Sequence, residues 1–290
     1  MTERLADISA HIHGVDQLRS VIGAMRAIAA SRAQQSRGAL PGIRSYAEVI
    51  AQAIAQALRL MPRDHGEDRA AFSGGHPVRT GLVLFTAEQG FAGAFSDRML
   101  ATASPLLTHA DVFLVGTRGA MLADEQRVPV VWRTAMALHG DGATAVAERI
   151  CEALYEHLAK ARLTRVDLVY PTWVPGRGLI PRTRSLLPLD RSVFANMPRA
   201  DAPLTTLPPT VLLRHLAEEY VYAQLCEAAT ESFVAENEAR VASMAAAKNN
   251  IEQMLGELQA QERQVRQEEI TAEVVELAGA ARQPRARLGA

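Results

Sequence analysis

Residues Met244–Val265 read MAAAKNNIEQMLGELQAQERQV. Met244, Ile251, Leu258 and Val265 recur every seven residues, with Ala247 and Met254 three residues after the first two. An apolar seam of this period is what one long helix presents to another. No proline occurs from Thr210 to Ala281, and the glycines inside that stretch are Gly256 and Gly279. The seam therefore sits in a helix of about 70 residues, on the order of 105 Å long at 1.5 Å per residue. A helix of that length cannot be hidden inside a domain built from 290 residues.

The other end of the chain carries a matching series, Ile8, Val15, Ile22 and Ala29. Leu5 and Ile12 flank it first, then Leu18 and Met25 on the other side, which is the drift expected when 3.6 residues per turn meets a seven-residue repeat. Helix is expected from about Leu5 to Leu60, with a break near Gly38 to Gly42, where Pro41 lies. Packed antiparallel, the two seams place Ile22 near Met244, Val15 near Ile251 and Ile8 near Leu258, to within one helical turn. The first helix then runs out, and from about Val265 onward the second continues alone. Two helices of an ordinary bundle would show the same periodicity. Here an α/β segment lies between them in sequence, so joining the ends makes a rod on a globular base.

That middle segment has strand-like apolar runs at Val78 to Thr86, Val112 to Val115, Val128 to Trp132 and Val166 to Tyr170. Helical patterns lie between them, including Gly142 to Arg162, and the alternation predicts a parallel sheet. The fold class is α/β: a long antiparallel coiled coil of N- and C-terminal helices plus a Rossmann-like α/β middle domain. The expected division is an N-terminal helix over 1–61, a linker over 62–77, an α/β base over 78–190, a proline-rich linker over 191–209, a C-terminal helix over 210–282 and a tail over 283–290.

Lys plus Arg number 31 against 32 Asp plus Glu, a net charge of -1 that gives nucleic acid or anionic lipid nothing to attract. Hydrophobic residues make up 48% of the chain, so a folded core is expected. Cys151 and Cys226 stand far apart without a metal or redox spacing and read as buried apolar groups in a reducing compartment. Residues Met1 to Asp7 lack the order of a signal peptide, and no run approaches the roughly 18 apolar residues that cross a bilayer. Membrane association is thus expected through a partner.

The strongest enzyme-like feature is Gly90-Phe91-Ala92-Gly93 after the strand ending at Thr86, because a glycine turn before a helix can cradle phosphate on backbone amides. A third glycine is missing, and Asp111 precedes the second strand instead of ending it, so the dinucleotide fingerprint is incomplete. A tight strand-to-helix turn explains the glycines as well, and Gly116-Thr117-Arg118-Gly119 admits the same two readings. His11 and His13, two apart on a helix, cannot share a metal. No metal and no cofactor is expected. Arg19, Arg26, Arg32, Arg37 and Arg44 line the first helix, while Glu257, Glu262, Arg263, Arg266, Glu268, Glu269, Glu273 and Glu276 crowd the far end of the second. Solvated faces are the ordinary reason for such charge; a shaft meeting a surrounding sleeve is the functional one.

Ala24-Met25-Arg26-Ala27-Ile28-Ala29-Ala30-Ser31-Arg32, Thr86-Ala87-Glu88-Gln89-Gly90-Phe91-Ala92-Gly93 and Leu186-Leu187-Pro188-Leu189 are similar to segments of the gamma subunit of F-type ATP synthases. At the C-terminus Arg240, Met244, Asn250, Leu258, Arg266, Gln267 and Ile270-Thr271-Ala272-Glu273 keep that family's order and spacing. Gly23, Arg26, Ser96 and Ala280 depart from its pattern, which marks a divergent bacterial member. The resemblance implies a non-catalytic central stalk that turns inside a hexamer of alpha and beta subunits. Its base would touch the epsilon subunit and the membrane ring at the cytoplasmic face of the inner membrane, without inserting. It also implies partner contacts for this chain: Met25 and Arg240 toward the lever region of a beta subunit, with Arg26 and Arg32 on the same first helix, and Arg266, Gln267, Thr271 and Glu273 toward the sleeve. Two other classes compete: a nucleotide-binding α/β enzyme with a coiled-coil dimerisation arm, and a purely structural coiled-coil adaptor.

Overall fold

A computed structural model describes residues 2–61, 79–108, 110–160, 163–195, 197 and 204–281. The linker expected over 62–77, Pro198 and Pro203 of the second linker, and the tail over 283–290 lie outside these. Helix α1 is Thr2–Leu60, followed by β1 (Thr80–Phe85), α2 (Phe95–Leu107), β2 (Ala110–Val115), α3 (Thr117–Glu125), β3 (Val130–Thr134), α4 (Ala143–Ala159), β4 (Arg165–Val174), β5 (Gly178–Leu187), α5 (Arg191–Ala195) and α6 (Pro209–Ala281). The chain forms two compact units, Met1–Ala27 with Ser243–Ala290, and Ile28–Ala242. Both long helices contribute to each.

In the larger unit the five strands lie in the order β3-β2-β1-β4-β5. Strands β1 to β4 pair parallel, as the alternation of strand and helix predicts. The antiparallel edge strand β5, paired with β4, is an addition that the parallel expectation did not contain. Its hairpin turns at Gly176 and Gly178, with φ of 76° and 75°, a conformation that only glycine adopts freely. One face of the sheet packs Val83, Phe85, Phe113, Val115 and Leu168 against Val146, Ile150 and Leu154 of α4 and Leu225, Ala229 and Phe233 of α6. The other face packs Leu82, Leu84, Val112 and Leu114 against Phe95, Met99 and Ala103 of α2. Within α6 nearly every residue from Val221 to Asn237 is buried, polar ones included. Small side chains at Ala223, Ala228, Ala229 and Ala235 let the sheet and neighbouring helices close around it.

The break expected near Gly38 to Gly42 is absent, and α1 runs straight through Pro41. A proline there removes one backbone donor and crowds the preceding turn, which costs about 3 kcal/mol in isolation. Tertiary contacts on both sides offset it. Arg37 pairs with Glu238, Arg44 bonds Glu227 at 2.9 Å and also Glu231, and Leu40 and Ala47 are buried.

In the smaller unit Val15, Ile22, Met244, Ile251 and Leu255 form one apolar cluster, with Ile12, Met25, Ala247 and Leu258 packed against it. The two sevenfold series therefore meet, antiparallel, as their spacing predicts. Three details differ. Leu255 is 6% exposed and occupies the place expected for Met254, which is 46% exposed. The stripe thus runs 244, 251, 255, 258, 265, with Leu258 half-buried: the sevenfold series is kept and its flanking position moves from 254 to 255. Leu18 is half exposed, so the seam on α1 crosses to its second side at Met25. The register lies toward one end of the expected one-turn range: Ser9 Oγ donates to Glu262 Oε1 at 3.2 Å, whereas pairing Ile8 with Leu258 sets Ser9 across from Glu257. Five residues separate those positions, and the reach of the glutamate side chain leaves an offset of about one turn. Val265 is accordingly still buried, and most residues of α6 from Arg266 to Leu277 are exposed.

These positions predict a sharp contrast between neighbours. Leu255→Ala should cost about 2–5 kcal/mol of the helix pair's stability, since it empties a packed site. Met254→Ala should stay within about 0.5 kcal/mol, as surface changes do. Local amide exchange over 244–262 distinguishes the two, and equal losses would reject this seam.

Candidate functional site

The turn after β1 lies at the carboxyl ends of the parallel strands, beside the point where strand order reverses between β1 and β4, which is where α/β sheets place their ligands. Here the donors face carboxylates of the chain itself. Glu236 of α6 accepts from the Glu88 amide at 2.9 Å and the Gln89 amide at 3.1 Å. Glu88 in turn accepts from the Thr117 amide at 2.9 Å, the Thr117 hydroxyl at 2.7 Å and the Met136 amide at 2.7 Å. Thus the first amides of the glycine turn and the N-terminus of α3, two places where a phosphate would be held, are filled from within. Next to the turn lies a hollow of about 650 Å³ whose lining carries one arginine, Arg118, and two acids, Asp97 and Glu125, so it offers no excess positive charge to a polyphosphate.

The two glycines at the start of α3 have packing reasons. A Cβ at Gly119 would stand 1.9 Å from Thr86 Oγ1, and one at Gly116 would stand 2.5 Å from the Thr86 carbonyl oxygen. Thr86 is itself fixed, its hydroxyl donating to the Val115 carbonyl at 2.7 Å. Ser96 in the first turn of α2 accepts from the Ala87 amide at 3.1 Å, which ties the turn to the helix that follows.

Of the residues expected to meet partners, Arg240 is 6% exposed. Its guanidinium bonds Glu236 at 2.5 Å, Asn237 Oδ1 at 3.1 Å and the Gly90 carbonyl at 3.2 Å. It is engaged inside the larger unit, where Arg32 is partly buried on α1. In the smaller unit Met25 packs in part against the apolar seam and Arg26 is exposed. Arg266, Gln267, Thr271 and Glu273 come together on the exposed end of α6. Gln267 and Thr271 share one side, lined also by Gln264, Glu268 and Val275. Arg266 pairs with Glu262 one turn back at 2.9 Å. Beyond Val265 the apolar residues Ile270, Val274, Val275 and Leu277 are 55–71% exposed.

Arg37 and Arg44, read from sequence with the other arginines as a solvated or sleeve-facing row, are instead paired with acids of α6. Glu88, Glu236 and Asn237 were not singled out by sequence. For Glu236 the available signal was its place four residues before Arg240 and directly after the apolar run Phe233-Val234-Ala235, where buried charge must be paired. Burial pushes the Cys151 thiol up to about 12 and the Cys226 thiol up to about 11, so both stay protonated and unreactive near neutral pH. Among the described residues no group of three or more His, Cys, Asp or Glu could hold a metal, and no helix is long and apolar enough to cross a membrane.

The fold and the site define an α/β protein with long N- and C-terminal helices and a Rossmann-like sheet whose ligand position is closed by its own carboxylates. A family model described as ATP synthase matches residues 4–282. The chain belongs to this family, as a gamma-chain member. It is 25% identical over 289 residues to the ATP synthase gamma chain of Polynucleobacter asymbioticus, covering 95% of this chain and 97% of that one. It is 27% identical over 292 residues to the gamma chain of Anaeromyxobacter dehalogenans, covering 96% and 98%. In fold it matches a chain of the Euglena gracilis mitochondrial ATP synthase, solved as OSCP/F1/c-ring in rotational state 3, with a TM-score of 0.64 at 13% identity, over 100% of this chain and 99% of that one.

Proposed function

We propose that this chain is the rotor shaft of a bacterial F-type ATP synthase, turning inside a hexamer of alpha and beta subunits and coupling ion flow through a membrane ring to ATP synthesis or hydrolysis. The observation that carries this is the family match from residue 4 to 282, which takes in both long helices and the sheet between them. The exposed apolar end of α6 supplies the physical complement: Ile270, Val274 and Leu277 repeat at helical spacing, no described residue of the chain covers them, and a surrounding sleeve would. In this proposal the sheet unit meets the epsilon subunit and the ring, and attachment to the cytoplasmic face of the inner membrane is peripheral, through those partners. Nucleic acid is no partner, and the shaft itself enters no bilayer. Met25, Arg26, Arg32, Arg266, Gln267, Thr271 and Glu273 are the proposed contact residues. Arg240 is proposed to act from its buried position, through the strand-end turn that it holds.

The nucleotide-binding alternative has lost its site to Glu88 and Glu236. The experiment is an ATPase assay on the purified chain and on the chain co-expressed with alpha and beta subunits. The chain alone should neither hydrolyse ATP nor bind ATP or NAD, and hydrolysis should appear on assembly. Turnover by the chain alone that survives repurification, or failure to co-purify with alpha and beta subunits, would overturn the proposal.

A further inference from the structure

Glu236 and Arg240 sit one helical turn apart on α6, and together they bind both polarities of the same stretch of backbone. The Glu236 carboxylate takes the amides of Glu88 and Gln89, while Arg240 gives hydrogen bonds to the carbonyls of Gln89 and Gly90 at 3.5 and 3.2 Å. Both side chains are nearly inaccessible, at 4% and 6%. A buried charged pair is weak evidence for stability, because the desolvation cost is large. What this pair provides is fixed geometry. The next residue of the turn, Phe91, has φ of 63°, in the left-handed region that aromatic residues avoid, and it is 65% exposed. A free turn would relax from that conformation. With its backbone donors and acceptors gripped on one side, the turn is held so that Phe91 projects into solvent.

We propose that Glu236 is the positioning residue of the strand-end turn: its carboxylate is a built-in oxyanion ligand, seated where this sheet architecture holds a phosphate, and with Arg240 it sets the conformation in which Phe91 is presented. The proposal does not depend on the function proposed above, since it concerns the chain alone.

Hydrogen–deuterium exchange on the full chain tests it. Glu236→Ala should speed exchange at the Glu88 and Gln89 amides by about 10- to 100-fold, the loss expected when a hydrogen bond to a charged group is removed. Acetate, which restores the missing methylene and carboxylate, should return those amides toward wild-type protection. Chloride at the same ionic strength should not, and neither salt should alter the wild-type chain. A residue that merely fills space would not be rescued by a carboxylate. Wild-type exchange in Glu236→Ala, or equal responses to acetate and chloride, would overturn the proposal. Glu236→Gln keeps the side chain's volume and serves if the alanine chain does not fold. At least about tenfold faster exchange at the same two amides is then the supporting result, and wild-type exchange the overturning one.

Discussion

Replacing Arg266 and Gln267 together by alanine should lower the ATPase rate of the assembled complex several-fold while leaving the chain's own thermal stability nearly unchanged. The two halves of this expectation come from different observations. Within the chain, Arg266 is 60% exposed at its side chain and makes one ion pair with Glu262, on the same helix one turn away. Exposed pairs of this kind contribute about 0.3–0.5 kcal/mol, and Glu262 keeps its bond from Ser9 when Arg266 is removed. Gln267 is exposed, and its backbone carbonyl accepts from Thr271 whatever side chain it carries. Folding thus has little to lose. In the proposed complex a sleeve of partner subunits would have more to lose. The guanidinium offers a fixed fork of donors suited to a carboxylate, and Gln267 adds a neutral donor and acceptor beside it. Loss of an interaction with a charged group typically costs about 1.5–3 kcal/mol, enough to unbalance one rotational state while the large complex stays assembled. An assembled double mutant with wild-type hydrolysis and synthesis would show that the contact is dispensable. A large drop in the chain's melting temperature would show that the pair serves folding instead.

The sevenfold series was legible because it is one-dimensional: a helix seam depends only on spacing, and Val15, Ile22, Met244 and Ile251 lie in one cluster as their spacing requires. The positions of β1 to β4 were legible for the same reason, each containing a short apolar run between polar turns, whereas β5, GLIPRTRSLL, has no such run. The offset of about one turn between the helices was not legible. Neighbouring registers bury similar residues, and the choice among them falls to details such as Leu255 replacing Met254. Continuity of α1 through Pro41 was hidden because the compensating partners, Glu227, Glu231 and Glu238, lie almost 200 positions away in sequence. The strand-end turn was found by its glycines, but sequence left open whether they served a ligand or packing. That depends on what the amides of Glu88 and Gln89 touch, and the answer is supplied by Glu236, 147 positions downstream of Gln89.

Gly116→Ala should be among the most damaging single-methyl changes in the protein, and Gly90→Ala one of the mildest, although both glycines fit a phosphate-cradling turn when read from sequence. At Gly90 nothing lies within 4 Å of an added Cβ, so alanine fits. At Gly116 the added carbon would stand 2.5 Å from the Thr86 oxygen and 2.8 Å from the Ala87 oxygen, and φ is 113°, where L-residues are strained. These neighbours are backbone atoms at the end of the central strand, and they cannot rotate away. The Thr86 amide bonds the Val115 carbonyl at 2.8 Å, and the Gly116 amide bonds the Thr134 carbonyl at 2.9 Å, so a shift would disturb three strands together. Overpacking costs about 1–3 kcal/mol and a forced left-handed residue about as much again, giving about 3 kcal/mol or more. For a unit of this size that lowers the melting temperature by about 6–12 °C. Gly119→Ala differs in kind, because the atoms it meets belong to the Thr86 side chain. In a Thr86→Gly background the penalty of Gly119→Ala should largely vanish, while that of Gly116→Ala should persist. Calorimetry on the two double-mutant cycles separates a side-chain clash from a backbone one. A Gly116→Ala chain that melts with the wild type would mean that the turn between β2 and α3 is free to move, and that Thr86 does not fix it.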